Sequence, residues 1–164
     1  LQKLSILFSQ QTVTFEEAET LFIKQARFSP FQLIDTMLIG DLKKCFKILD
    51  QMQHDGSAFG QLVWVVHKEI SQIYAMLEQI EQGSSINDIF KQYRIWEKKK
   101  PLYQHALKHI TLNNAEQALA RLAQVDLLSK TSSEFNAFIL LSDVFVSLFH
   151  HELSQSYSLD YEYN

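Results

Sequence analysis

Apolar residues recur at intervals of three and four along most of the chain, which is the period of an amphipathic α-helix. The longest regular stretch is 62–82, whose apolar stripe consists of Val63, Val66, Ile70, Ile73, Leu77 and Ile80. At about 1.5 Å per residue, this stretch predicts a central helix roughly 30 Å long. The pattern therefore predicts an all-α protein organised around one long helix.

Helix-start and helix-stop residues divide the pattern before this stretch. Ser29 followed by Pro30 marks a start, because proline lacks an amide that the first helical turn leaves unpaired in any case. Gly40 is a typical stop, and Asp41 can cap the next helix. Residues 31–53 are therefore predicted to form a helical hairpin with two apolar faces, which carry Phe31, Ile34, Leu38 and Ile39, and then Leu42, Cys45, Phe46 and Leu49.

Further helices are predicted on both sides of this hairpin. A short apolar helix ends at Phe8, and a second begins with the capping-box pair Thr14 and Glu17 and ends near Ala26. Ser85 with Asp88 starts another, and three more are predicted at 102–110, 112–128 and 133–149. The best domain boundary lies at 25–29. From His150 the apolar period fades, and the acidic, tyrosine-bearing tail at 154–164 is predicted to be partly frayed.

Composition agrees with one globular helical domain. The 164 residues are 46% hydrophobic and 21% charged, and four glycines with two prolines are too few for the many tight turns of a sandwich or barrel. A net charge of −4 argues against a protein coated with positive charge for nucleic-acid binding, but not against a local basic patch. The longest apolar runs, such as 137–141, are far shorter than the roughly 20 residues of a membrane span. The chain, which begins at Leu1, is predicted to be a soluble, cytoplasmic piece of a longer protein.

Residues that could carry chemistry do not form a site. Neither the glycine-rich phosphate loop nor Rossmann spacing is present in the sequence. His105 and His109 share a predicted helix face, but no acidic residue completes a zinc pattern beside them, so we expect them to face solvent or line a groove. Cys45, the single cysteine, lies on an apolar helix face and is predicted to be buried and inert. No catalytic residue, metal or cofactor is predicted.

One segment, 91–101, combines positive charge with aromatic rings. Its basic residues are Lys91, Arg94, Lys98, Lys99 and Lys100, against a single Glu97, and Tyr93 and Trp96 lie among them. The segment is either a solvated loop whose rings anchor it to the core, or a nucleic-acid contact in which cations meet phosphates and rings stack on bases. A second candidate ring, Phe135, taken alone is predicted to belong to the core.

Four short segments together resemble one known family. They are 26–31, 35–40, the sequence Arg94-Ile95-Trp96 followed by Lys98 and Lys99, and 126–130. Their order and spacing resemble the C-terminal part of the delta subunit of the bacterial DNA polymerase III clamp loader. The resemblance extends over essentially the whole chain to about Phe149.

The resemblance implies a fold and a role. Residues 1–26 would be the end of a lid-like middle domain, 27–150 a helical collar domain and 151–164 a tail. In this family the collar packs against loader subunits of the gamma/tau and delta-prime types in a ring of five, so that the sliding clamp can be opened and placed on primed DNA. The clamp is touched by an N-terminal domain that this chain lacks. The resemblance therefore implies a non-catalytic scaffold without cofactor or membrane.

The resemblance also implies which residues lie near DNA. Trp96 and Phe135 match aromatic positions of the collar where the template strand leaves the chamber. Phenylalanine replaces a frequent tyrosine at position 135, which loses the hydroxyl, and lysine at 98 and 99 lacks the planar fork of arginine. The predicted contact set is Tyr93, Arg94, Trp96, Lys98, Lys99, Lys100 and Phe135. The alternative is a stand-alone single-stranded nucleic-acid-binding module that uses 93–100.

Overall fold

A computed structural model describes residues 28–149, and over this range the chain forms seven α-helices and no β-strand. The predicted all-α fold is confirmed. The helices are α1 (Pro30–Leu38), α2 (Leu42–His54), α3 (Phe59–Glu81), α4 (Ile86–Gln92), α5 (Lys100–His109), α6 (Leu112–Thr131) and α7 (Ala137–Phe149).

Side-chain caps begin the helices at the positions that the sequence predicts. Ser29 and Gln32 form a reciprocal capping box, in which the Gln32 amide donates to Ser29 Oγ at 3.3 Å and the Ser29 amide donates to Gln32 Oε1 at 2.9 Å. Asp41 Oδ1 accepts from the Lys44 amide at 3.1 Å, and Ser85 caps α4 in the same way. Each cap pairs an amide that the helix itself leaves unpaired, so these starts are confirmed.

The long helix α3 forms the centre of the hydrophobic core. Its predicted stripe is buried from Val63 to Leu77, and Ile80 at the end is partly buried. Helix α6 packs along α3 and along α7, and α7 also packs on α2. The α1–α2 hairpin closes the other side, where α1 contacts α3 and α5. The core therefore lies between α3, α6, α7 and the hairpin.

The hairpin is confirmed, but part of its predicted apolar face is wrong. Phe31 is 74% exposed, and Ile39 and Phe46 are about 40% exposed. At 100° per residue, the buried face of α1 is centred on Leu33, Ile34, Met37 and Leu38, which leaves Ile39 on the opposite side and Phe31 at its edge. Phe46 is displaced in the same way from the buried face of α2. These apolar side chains lie on the surface.

The last helix begins later than the sequence predicts. Helix α7 starts at Ala137 and not at Ser133, because the Asn136 side chain caps it: Asn136 Oδ1 accepts from the amides of Phe138 at 3.0 Å and Ile139 at 3.4 Å. Phe135 is consequently placed in the turn before the helix.

Two predicted parts of the chain lie outside the described residues. They are the segment 1–26, with its capping-box pair Thr14 and Glu17, and the tail 151–164. Both assignments stay predictions. Across 28–149, none of the helices combines the length and apolar character that crossing a bilayer requires.

Candidate nucleic-acid interface

The connection between α4 and α5, residues 93–99, is called the Trp96 turn here. It reverses the chain at Arg94, whose φ of +52° is unusual for a residue with a Cβ. The Arg94 amide donates to the Lys91 carbonyl at 3.2 Å, and the Ile95 amide donates to the Phe90 carbonyl at 2.9 Å. These two bonds close the end of α4, and the half-buried Ile95 packs against the core. The turn is thus firmly attached at its beginning.

Trp96 combines a fixed backbone with a projecting ring. Its carbonyl accepts from the Lys99 amide at 2.8 Å and from the Lys100 amide at 3.1 Å, whereas the residue is 76% exposed. The interpretation in which Trp96 anchors a solvated loop to the core is therefore wrong. An exposed indole on a fixed backbone offers a stacking face, as the alternative interpretation requires.

Tyr93 is the ring of this segment that does anchor to the core. It is half-buried, packs against core residues, and its hydroxyl accepts from Gln79 Nε2 at 3.3 Å. The two aromatic residues that the sequence grouped together thus have different surroundings. Tyr93 supports the turn, and Trp96 is the ring available for stacking.

The five basic residues of the segment also divide into two groups. Lys99 forms an ion pair with Asp35 on α1, and Lys100 pairs with Glu97. Lys91, Arg94 and Lys98 are exposed and have no ion-pair partner among the described residues. The net positive charge of this surface is therefore carried by Lys91, Arg94 and Lys98.

Phe135 is 39% exposed, so the prediction that it belongs to the core is wrong. The next residue, Asn136, donates from Nδ2 to Gln53 Oε1 on α2 at 3.3 Å. The turn that carries Phe135 is therefore fastened to α2, whereas the Trp96 turn is fastened to α1 through Lys99. Both candidate rings lie on turns that contact the same helical hairpin.

A polar cluster between α3 and α5 was not predicted from the sequence. The Tyr103 hydroxyl on α5 donates to Glu69 on α3 and accepts from Gln72 Nε2 at 3.4 Å. Burial raises the pKa of the Glu69 carboxyl, and the hydrogen bond from Tyr103 partly opposes this. Burial and the adjacent Glu69 also raise the pKa of Tyr103. The cluster links α3 to α5 next to the Asp35–Lys99 pair.

A second exposed tryptophan was also missed. Trp64 on α3 is 64% exposed, and the Lys68 ammonium lies 5.2 Å from its ring centroid, within the range of a cation–π interaction. Position 64 falls between the stripe positions Val63 and Val66, and this offset is the sequence signal that would have placed it on the outer face of α3.

The predicted surroundings of the histidines and the cysteine are confirmed. His109 is exposed and stacks on the half-buried His105, with ring centroids 4.1 Å apart, and His105 Nδ1 lies 3.1 Å from the Leu38 carbonyl. Cys45 is buried, and burial, with a smaller contribution from Asp41, raises the pKa of its thiol to about 12. Within 28–149, no three His, Cys, Asp or Glu side chains come together as a metal site.

A family model of the DNA polymerase III clamp loader and two curated DNA polymerase III delta subunits match this chain. The family model for the "Processivity clamp loader gamma complex DNA pol III C-term" matches residues 30–155. The chain is 23% identical over 154 residues to the DNA polymerase III subunit delta of Escherichia coli K12, covering 94% of this chain and 45% of that protein. It is 21% identical over 156 residues to the subunit delta of Haemophilus influenzae Rd, covering 90% of this chain and again 45% of the relative.

The chain thus spans less than half the length of these curated relatives. The family match, in contrast, includes every helix described above. The chain belongs to the family formed by the C-terminal part of the DNA polymerase III delta subunit of the clamp loader.

Proposed function

We propose that this chain is a non-catalytic scaffold of the DNA polymerase III clamp loader. Its collar domain assembles with subunits of the gamma/tau and delta-prime types, so that the sliding clamp can be opened and placed on primed DNA. The family description, which names the clamp loader gamma complex, and the two relatives named subunit delta support this assignment.

The observation that carries the proposal is apolar surface left over after the core is filled. Five large apolar side chains, each on a different helix or turn, are more than 60% exposed although the core is closed: Phe31, Trp64, Trp96, Leu127 and Ile139. Single exposed apolar residues are ordinary on a monomer, but large ones on several helices are side chains that partner proteins can cover. A bundle in a ring of subunits needs such faces on more than one side.

In this proposal the parts of the chain have separate roles. Residues 27–150 form the collar, 1–26 are the end of a lid-like domain, and 151–164 are a tail. Clamp opening is assigned to a part of the protein other than this chain, and the assembly works in the cytoplasm. No bond is made or broken by the collar.

Reconstitution tests the scaffold. The 164-residue chain is mixed with the gamma/tau and delta-prime type subunits, and complex formation is followed by sedimentation velocity at low and high salt. We expect a complex that persists at high salt, because apolar contacts are not screened by ions. Trp64→Ala and Leu127→Ala should each weaken it, whereas Gln104→Ala at an exposed polar position should not. Failure to enter a complex at any salt concentration would contradict the assignment.

A second function is favoured by the Trp96 turn, namely contact with the single-stranded part of primed DNA. The exposed indole of Trp96, on a hydrogen-bonded backbone, lies near Arg94 and Lys98 in the chain, which have no ion-pair partner in the described part of the protein. Stacking of a base on an aromatic ring is worth about 1–3 kcal/mol, and cations nearby attract phosphate. Phe135 is a second stacking candidate on a turn attached to the same hairpin.

A titration of labelled oligothymidylate with the 164-residue chain tests this contact. We expect binding at low salt that falls steeply as salt is added, and Trp96→Ala should weaken it by about tenfold. Trp64→Ala is the matched control, since it removes the other exposed tryptophan, which lies on α3. No binding at low salt would contradict the stand-alone module and restrict any DNA contact to the assembled loader.

A further inference from the structure

We propose that Asp35 is a positioning residue for the Trp96 turn, and that Lys99 serves as its tether and not as a phosphate contact. The inference rests on the proposed nucleic-acid contact at Trp96 and assigns different roles to the two adjacent lysines, Lys98 and Lys99. Lys98 remains available to phosphate, whereas Lys99 holds the turn in place.

A short chain of contacts connects Asp35 to Trp96. Lys99 Nζ reaches both carboxylate oxygens of Asp35, and the Lys99 amide donates to the Trp96 carbonyl at 2.8 Å. The two side chains of the ion pair are 35% and 39% exposed, so the pair is partly shielded from water and screened less than a fully exposed one. One ion pair and one hydrogen bond therefore separate α1 from the backbone of the projecting tryptophan.

The turn needs such a tether because its two ends are held differently. Its beginning is fixed by Tyr93 and Ile95, which pack against the core. Its end has no side-chain cap, because Lys99 at the N-cap of α5 makes no capping hydrogen bond. Trp96 itself is too exposed to be fixed by packing. The ion pair to Asp35 adds a side-chain contact between this end of the turn and α1, next to the packing of α5 on α1 and α3.

Substitution of Asp35 separates positioning from simple electrostatics, because the two make opposite predictions. Asp35→Asn removes a negative charge beside a basic surface and frees Lys99. Electrostatics alone then predicts tighter binding of a single strand, with a salt dependence steeper by about 0.7 in log–log slope for one added phosphate contact. Positioning predicts weaker binding, by about three- to tenfold, because the backbone that carries the indole is held less firmly.

The binding experiment uses the 164-residue chain and labelled oligothymidylate. We expect Asp35→Asn to weaken binding in the wild-type background and to have no weakening effect in a Trp96→Ala background, since the two substitutions act on the same contact. Asp126→Asn, which breaks the surface ion pair with Lys130 on α6, is the matched control and should not weaken binding. Tighter binding by Asp35→Asn would overturn the proposal.

A measurement without DNA tests the positioning directly. In a Trp64→Phe background Trp96 is the sole tryptophan, and its time-resolved fluorescence anisotropy reports the motion of the indole. We expect Asp35→Asn to increase the amplitude of fast depolarisation at least twofold, and the exchanged pair Asp35→Lys with Lys99→Asp to restore it. Circular dichroism and the urea midpoint show whether each variant is folded.

The outcomes distinguish the inference from the proposed function. Unchanged indole motion in folded Asp35→Asn overturns the positioning role. Increased motion in Asp35→Asn, combined with no effect of Trp96→Ala on DNA affinity, supports the positioning of the turn and contradicts the nucleic-acid contact. Increased motion with weakened binding supports both.

Discussion

The ring of Phe149, at the end of α7, lies against Gly40 in the turn between α1 and α2. Gly40 has a φ of +70°, and a Cβ at this position would come within 3.2 Å of Phe149 Cε1. The glycine is therefore required both by the backbone conformation and by the packing of α7. Gly56 has the same φ of +70° but no atom within 4 Å of the position that a Cβ would take.

This pair of glycines gives a matched stability test. Gly56→Ala should destabilise the protein by about 1 kcal/mol, which is the cost of a left-handed conformation for a residue with a Cβ. Gly40→Ala should cost about 2–3 kcal/mol, because the Phe149 ring must also move. Urea unfolding followed by circular dichroism measures both values. Equal losses would mean that the ring contributes nothing at Gly40.

Asn114 is a buried polar residue whose substitution should be costly. Its Nδ2 donates to the Leu148 carbonyl at 3.2 Å and so joins α6 to the end of α7. Asn114→Ala removes this donor from a buried carbonyl, and we expect a loss of about 1–3 kcal/mol in the free energy of unfolding. Asn87→Ala, at an exposed position, is the control and should change stability by less than about 0.5 kcal/mol. A near-neutral Asn114→Ala would show that water replaces the amide.

Asn114→Leu tests the same position with an apolar side chain of similar size. Asn114 Oδ1 has no hydrogen-bond partner in the described structure, so an apolar side chain of similar size removes one unpaired atom while it creates another at Leu148. We expect it to be less destabilising than Asn114→Ala, because it also avoids a cavity. The same urea titration decides the order.

Glu69 should make stability depend on pH with a definite sign. Burial raises its pKa in the folded state above the value of about 4.3 in the unfolded chain. Between these two values the folded state holds the proton more tightly, so the contribution of Glu69 to stability falls as pH rises and is constant above the folded-state pKa. Glu69→Gln should therefore be more stable relative to wild type at neutral pH than at pH 4.

Thermal unfolding across this pH range measures the difference. Tyr103→Phe is the informative companion, because it removes the hydrogen bond that lowers the Glu69 pKa. In that variant the pH-dependent window should extend to higher pH. A stability difference between wild type and Glu69→Gln that stays constant with pH would contradict the assignment.

Cys45 should be unreactive in the folded protein. Its thiol is buried and its pKa is raised to about 12, so almost no thiolate exists at pH 8. We expect the disulfide reagent DTNB to label it only at the rate at which the protein unfolds, and at once in concentrated guanidinium. Rapid stoichiometric labelling of the native protein would show that the site opens without global unfolding.

Much of the fold could be predicted because local signals decide it. Ser29 and Asp41 can satisfy the first amides of a helix wherever the rest of the chain lies, and Gly40 tolerates the left-handed turn that joins the two helices. The apolar stripe of α3 is likewise a local signal, because its period of three and four residues is visible without knowledge of what packs against it. The start of α7 was misplaced because Asn136 competes with Ser133 as a cap, and the pattern alone does not rank them.

The candidate site could be predicted less well, because its properties depend on contacts between distant segments. The sequence locates Trp96 and its basic neighbours but gives no sign that Lys99 pairs with Asp35, 64 positions earlier. It also treats Tyr93 and Trp96 as equivalent, although Tyr93 packs against the core and bonds Gln79 whereas Trp96 is exposed. Exposure of a ring is decided by what packs beside it, and periodicity does not contain that information.

Attachment of both aromatic turns to one hairpin has a mechanical consequence. Asp35 on α1 holds one turn and Gln53 on α2 holds the other. If the hairpin tilts against α3 in the proposed assembly, the attached ends of both turns move with it. A nucleic-acid strand stacked on both rings, as proposed above, would then be displaced at both contacts at the same time.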